Sequence, residues 1–298
     1  MQGLQLARSY YNTWCDTLLA PFTPWRHRIA AGLVGYGSEC FGFDDELSRD
    51  HDFGPDFCLW LTDEDYAQIG EQLQAAYDAL PATHADVPAR VTNERSGKRV
   101  GVFSISGFYT EFLGAPQLPI SDADWLQIPE ERLAAAVNGE IFADPLGEFS
   151  AIRESLQAYY PESVRRIRLA TAAAKMAQSG QYNLPRALER NEHVTALLTQ
   201  AEFIQHACRL TYAVNRRYPP FYKWLHRGLR GLPRLNGMHA KLDQLARTPP
   251  AESSALVEEI CATVLNELVS LGYTRRGDAF LEAHVNTILG RPQEENTP

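Results

Sequence analysis

The chain has 298 residues, enough for one large or two ordinary domains, and 45% of them are apolar or aromatic, which is ample for a core. Its 28 basic and 37 acidic side chains leave a formal charge of −9, which opposes general binding to nucleic acid or to an anionic membrane. The charge is uneven: residues 1–150 carry a net −14 and residues 151–298 a net +5, and the stretch 204–250 holds nine Lys or Arg against one acid, Asp243.

The five cysteines are scattered and show no C-x-x-C spacing, so they read as reduced, mostly buried thiols rather than a disulfide framework or a zinc site. No stretch approaches the roughly 18 consecutive apolar residues of a membrane span. The opening MQGLQLARSYYNTWCDTLLAPF lacks a signal peptide's charged start and small-residue cleavage site. A cytoplasmic protein is the expectation.

In chain order, the pattern predicts a helix over Leu4–Leu19, closed by Pro21 and Pro24, and then a strand in RIAAGLVGYGSE that runs into a glycine turn. After the charged loop FDDELSRD, the end of DHDFGPDFCLWL is a short apolar run of buried-strand type. Thr62, followed by Asp63, Glu64 and Asp65, reads as an N-cap with acids in the first turn, and Tyr66, Ile69, Leu73, Tyr77 and Leu80 recur at helical spacing behind it.

A third strand is expected over RVGVFSISGF and a loop over GAPQLPISD, with no further strand from Asp124 onward. Helical patterns follow at about 150–158, 162–178, 185–217, 237–246, 251–271 and 276–289, punctuated by Gly180, Pro185, Pro219–Pro220 and Pro249–Pro250. The fold class predicted is α+β: an N-terminal mixed-sheet domain over 1–146 and a C-terminal all-helical bundle over 147–290. Residues 291–298 read as a disordered tail.

The segment that carries chemistry is GYGSECFGFDDELSRDHDFG, residues 35–54. Gly37 and Ser38 end an apolar strand, eleven residues intervene, and Asp50 and Asp52 then flank His51. On an extended strand, positions i and i+2 point the same way, so the two carboxylates reach one site while His51 faces the other side. Two acids so placed make a hard oxygen pocket of the kind that keeps Mg²⁺ with substrate phosphates. Glycine admits close backbone approach, and the Ser hydroxyl can donate to a phosphate oxygen.

This pattern resembles the polymerase-β-like nucleotidyltransferase superfamily, whose signature is a hydrophobic strand, Gly-Ser or Gly-Gly, about ten residues, and then acid, any residue, acid. The chain order is similar to the aminoglycoside and lincosamide nucleotidyltransferases, where a helical bundle follows the catalytic domain. The variant GSECFGFDDELSRDHDFGPDF looks most similar to uncharacterised bacterial predicted nucleotidyltransferases. The resemblance implies that Asp50 and Asp52 bind Mg²⁺ and that Gly37 and Ser38 hold the phosphates of a nucleoside triphosphate, with ATP favoured. A nucleoside monophosphate, AMP in that case, passes to a hydroxyl of a small molecule or protein, and pyrophosphate leaves.

Active members carry a third carboxylate on the neighbouring strand. Here that strand offers Ser104 and Ser106, so Glu111 or Glu94 is the remaining metal-ligand candidate. The same gap supports the alternative of a non-catalytic nucleotide-binding or antitoxin-like interaction protein.

In the helical half, Leu197, Ala201, Ile204, Cys208 and Thr211 form a mainly apolar stripe, and Glu202, His206, Arg209 and Arg216 a polar one. By position and chemistry, Glu202 resembles the glutamate that acts as base on the acceptor hydroxyl in the antibiotic-modifying relatives, although an ordinary pairing with His206 and Arg209 explains it equally. Lys223 and one of Arg216 or Arg217, beside Pro219–Pro220 and several aromatic residues, suit phosphate contacts, and helix-end capping accounts for part of that cluster. Nucleic acid as a partner is opposed by the acidic first half. Arg186 and His193 meet an RNA-cleaving Arg-x4–6-His spacing, which chance also supplies.

Overall fold

The computed structural model describes residues 2–49, 53–90 and 98–291, so the expected disordered tail lies outside the described residues apart from Arg291. The chain divides into two compact units, Met1–Ala158 and Tyr159–Pro298. The fold class is α+β, as predicted: the first unit holds a mixed sheet and the second is helical among its described residues.

In the first unit, α1 (Gly3–Leu19) leads to β1 (Ala30–Leu33), β2 (Cys58–Leu61), α2 (Asp63–Asp78), β3 (Gly101–Ser104) and α3 (Ile105–Leu113). Then come α4 (Asp122–Gln127), α5 (Glu130–Val137), β4 (Glu140–Ala143) and α6 (Glu148–Gln157). The sheet order is β3-β2-β1-β4. β1 is antiparallel to β2, with Ala30 opposite Trp60 and Gly32 opposite Cys58, and antiparallel to β4; β2 and β3 run parallel.

All four residues of β2 are buried, because both faces of the sheet are covered. Leu59 and Leu61 belong to a core with Tyr10, Leu18, Leu73 and Tyr77 from α1 and α2. The alternate residue Trp60 points the other way and stacks on Phe149 of α6 with ring centroids 3.9 Å apart, edge-on to Phe108 of α3. α6 thus packs with the first unit. α2 starts as read: the Thr62 hydroxyl accepts the Asp65 N–H at 3.1 Å. Of its predicted apolar face, Ile69, Leu73 and Tyr77 are buried, whereas Tyr66 is exposed.

In the first unit the structure corrects several expectations. The third strand is shorter than RVGVFSISGF: it ends at Ser104, whose hydroxyl accepts the Gly107 N–H and so caps α3. A strand does follow Asp124, because β4 pairs with β1 beside Gly139, whose φ is +66°. A Cβ at Gly139 would lie 1.9 Å from the Leu33 carbonyl oxygen, so only glycine lets the chain approach there. α4, opened by a capping box between Ser121 and Asp124, and α5 are helices the hydropathy pattern did not show.

In the second unit, α7 (Glu162–Met176) continues into a π-helical stretch, Ala177–Asn183, and α8 (Leu184–Glu189). The expected break at Gly180 is therefore a widened helix, in which the missing side chain admits the Phe203 ring; a Cβ would lie 2.3 Å from it. The single helix expected over 185–217 is two, α8 and α9 (His193–Val214), separated at Asn191 with φ +58°. α10 (Tyr222–Leu225), α11 (Met238–Arg247) and α12 (Ser254–Ser270) follow. Instead of a helix over 276–289 there are a 3-10 turn, Leu281–His284, and the one-turn α13 (Val285–Ile288).

α7 and α9 are locked by Arg165, whose buried guanidinium donates to the carbonyls of Ala213 and Val214 at 3.1 Å each, at the C-terminus of α9. Among the described residues no helix is long and apolar enough to cross a membrane.

Candidate functional site

The antiparallel register of β1 and β2 decides where the motif lies. Gly35–Ser38 leave the C-terminal end of β1, and that end lies beside the N-terminal end of β2 at Cys58. The two arms of the loop, one carrying Gly37 and Ser38 and the other arriving through Asp56 and Phe57, therefore meet at one end of the sheet. Asp50 and Asp52 themselves, with His51, lie outside the described residues, as does Glu94.

The Gly-Ser arm is a tight turn. Ser38 precedes a 3-10 turn, Glu39–Phe41, and its carbonyl accepts the N–H groups of Phe41 and Phe43 at 3.1 and 2.9 Å. Its hydroxyl caps nothing and is partly exposed. Asn138, just past α5, fastens the turn from the side: its amide donates to the Gly35 carbonyl at 2.7 Å, and its side-chain oxygen accepts the Gly35 N–H at 3.0 Å. Next to it, the Gly139 N–H donates to the Cys40 carbonyl at 2.8 Å.

Arg90, which sequence reasoning did not single out, joins the two arms. Its Nη1 lies 3.2 Å from Glu39 Oε1 and its Nε 3.0 Å from Asp56 Oδ2. The Arg90 and Glu39 side chains are 4% and 5% exposed, so this is a buried pair and not a surface one. Burial works against the guanidinium charge, yet Glu39 and Asp56 outweigh it and hold the Arg90 pKa above the usual arginine value. Tyr77 of α2 adds a brace: its hydroxyl donates to the Phe57 carbonyl at 2.8 Å and accepts the Phe57 N–H at 3.0 Å.

Glycines make room for this clamp. A Cβ at Gly37 would lie 2.4–2.5 Å from the Glu39 carboxylate, and one at Gly54 would lie 2.5 Å from the Arg90 backbone nitrogen. Nearby thiols are inert. Cys58 donates to the Arg99 carbonyl at 3.4 Å, and burial pushes its pKa up to about 12, so it supplies no thiolate at neutral pH.

Ser104 and Ser106 do not stand where a third acid is expected. In the parallel pairing Gly101 lies opposite Cys58 and Ser104 opposite Leu61, so Ser104 is three residues, about 10 Å of strand, from the motif end. Ser104 caps α3, and the Ser106 hydroxyl donates to Asp63 at 2.6 Å. α3 then runs back toward the motif: Phe112 packs on Tyr36 with ring centroids 5.0 Å apart. Glu111, exposed on α3, is adjacent to that contact. The Tyr36 pKa is raised chiefly by burial; Arg132 opposes the shift and Glu111 adds to it.

In the second unit, Glu202 Oε1 lies 3.5 Å from Lys175 Nζ of α7 and 3.9 Å from His206 Nε2. Glu202 thus has a cross-helix partner in addition to the expected neighbour on its own helix. Arg216, at φ +52°, and Arg217 are exposed just past α9, and Arg216 pairs with Glu162 at 3.5 Å. Lys223 is exposed and lies over the Trp224 ring at 4.4 Å. Tyr218 is buried against Tyr159 and Tyr160 and is core. Of the predicted apolar stripe, Cys208 and Thr211 are buried while Leu197 is 58% exposed.

His206 gives a pH prediction. Burial, then Arg209 and Lys175, lower its pKa below the usual 6.5, with Glu202 opposing, so the folded state favours the neutral ring. Its contribution is complete above pH 6.5 and is lost as pH falls through the folded value. The urea midpoint should fall between pH 7 and the acid side, and His206→Gln should flatten that fall; identical acid limbs would show that another group is responsible.

Residues 125–225 match a family model described as "Domain of unknown function (DUF4037)". No curated protein matches the chain. Among solved structures, a nucleotidyltransferase-like protein from Exiguobacterium sibiricum 255-15 is similar over 87% of this chain and 78% of that one, at 11% identity and a TM-score of 0.33.

Proposed function

We propose that the chain binds a nucleoside triphosphate at the Gly37–Ser38 end of β1 and transfers its nucleoside monophosphate, AMP when ATP is bound, to a hydroxyl of a small molecule or protein. One observation supports this above the others: the β1–β2 register and the Arg90 clamp bring the Gly-Ser arm and the arm that follows Asp52 to the same end of the sheet.

The donors fit a hard divalent cation. The Asp50 and Asp52 carboxylates are the proposed ligands of Mg²⁺, with Glu111 as a third, and in the same loop Asp44 Oδ1 is buried with no hydrogen-bond partner among the described residues. When bound, Mg²⁺ neutralises phosphate charge and supports in-line displacement at the α-phosphorus. The Ser38 hydroxyl, not used as a cap, donates to a phosphate oxygen. The acceptor oxygen forms the new bond to phosphorus, the bond to pyrophosphate breaks, and the acceptor proton passes to a carboxylate. Glu202 is the proposed base, and Lys223 with Arg216 or Arg217 the proposed phosphate contacts.

Titration of Mg²⁺ and ATP into the wild-type protein should show saturable binding that Asp50→Ala with Asp52→Ala abolishes and Ser38→Ala weakens roughly tenfold, the worth of one charge-assisted hydrogen bond. Unchanged binding by the double variant would sink the assignment. The second reading, a nucleotide-binding protein without transfer activity, is favoured by β3, whose four residues carry no carboxylate. Pyrophosphate release with any acceptor hydroxyl excludes it.

A further inference from the structure

The first unit contains an open groove with a volume of about 500 Å³, formed by the C-terminal end of α3, the loop 114–121, α4 with its connection to α5, and the first turn of α5. Its lining is mixed. Leu118, Ile120 and Ile128 give apolar walls, and Gln117, Gln127 and Arg132 bring amide and guanidinium groups to the same space. Ile120, at the rim, is 91% exposed.

The groove is tied to the motif through two contacts. Phe112 lines it and packs on Tyr36, the residue between Gly35 and Gly37. α5 supplies the second link: Arg132, in its first turn, borders the groove, while Asn138, just past its end, holds Gly35. Asn138 is six residue steps beyond Arg132, about 9 Å along the axis. A nucleoside triphosphate spans a distance of that order from its terminal phosphates to its base.

Resting on the function proposed above, the geometry points to this groove as the subsite for the nucleoside part of the triphosphate, with the phosphates at Gly37–Ser38. Apolar walls suit the faces of a base, and the amides of Gln117 and Gln127 can each offer a donor and an acceptor to its edge. Arg132 stands between the two parts, within electrostatic reach of Tyr36, where ribose and α-phosphate would pass. An acceptor molecule of similar size is the competing occupant, and the two differ in what they demand of the phosphate-only ligand.

The test compares ATP with inorganic tripolyphosphate, each titrated calorimetrically in Mg²⁺ against the full chain. ATP should bind the wild-type protein about tenfold or more tightly, since tripolyphosphate forgoes the groove. Ala115→Phe, which fills the groove from its half-buried lining, and Gln127→Ala should each weaken ATP roughly tenfold and leave tripolyphosphate within about twofold. ATP binding unchanged in both variants, or tripolyphosphate weakened equally, overturns the assignment.

Photolabelling with 8-azido-ATP should place the label within residues 112–132, and label confined to other segments also overturns it. If the wild-type protein binds tripolyphosphate and ATP equally, the phosphate site stands and the groove falls. If it binds neither, the proposed function fails first and the groove with it.

Discussion

Replacing Arg90 by methionine should lower the unfolding free energy by about 3–5 kcal/mol, the usual cost of removing one partner from a buried ion pair. Methionine keeps the apolar stem and deletes the charge. Glu39, 5% exposed, and Asp56, 21% exposed, then lose the guanidinium they share. Urea denaturation followed by tryptophan fluorescence reads this out, because Trp14, Trp25, Trp60 and Trp125 belong to the first unit and Trp224 alone to the second.

Neutralising the carboxylates as well, with Glu39→Gln and Asp56→Asn in the Arg90→Met background, should recover most of the loss, since amides leave no buried charge unpaired. Mg²⁺-dependent ATP binding should not recover with it, because the triple variant restores no link between the arms. A loss below about 1 kcal/mol for Arg90→Met would put the pair in the class of solvated surface bridges and remove the clamp from the account.

How much of this was legible in the sequence depends on the range over which each feature is decided. Local chemistry was readable. Thr62 with three acids behind it started a helix where the side chain does cap, and the fully apolar CLWL was a buried strand. The end of β1 at a glycine turn was equally local. The alternation in VGVFSISGF continues past the end of β3 at Ser104, where the Ser104 hydroxyl, bonded to the Gly107 N–H, turns the chain into α3. β4 has a weak sequence signal because its four residues, EIFA, are half-buried on an edge and carry no strong alternation. The capping box before α4 has a local signature, Ser121-x-x-Asp124, at the end of a proline-containing segment with loop composition.

Arg90 had no local signature at all. Its partners lie 51 and 34 residues away, and only the antiparallel register of β1 and β2 brings them together. The motif thus names candidate residues, whereas the device that holds the two arms of the loop has no counterpart in the local sequence.

Gly37→Ala should cost about 3 kcal/mol, between the upper end of over-packing and the lower end of a broken buried pair. Two separable reasons would account for the glycine: the proposed close approach of a phosphate to the backbone, and space for the Glu39 carboxylate, whose three atoms would lie 2.4–2.5 Å from an alanine Cβ. That carboxylate cannot swing aside freely, because its Oε1 is held by the buried Arg90.

A double-variant cycle separates the reasons. If space for Glu39 dominates stability, Gly37→Ala should add little in a Glu39→Ala background, and the two costs should be coupled by about 3 kcal/mol. Simple additivity would refute the steric coupling and return Gly37 to a role in the turn alone. Binding reads the other reason: Gly37→Ala with Glu39→Ala, although no less stable than Glu39→Ala alone, should still bind ATP more weakly than Glu39→Ala if the backbone of Gly37 approaches phosphate. Equal affinity would leave Ser38 as the contact that this arm of the loop supplies.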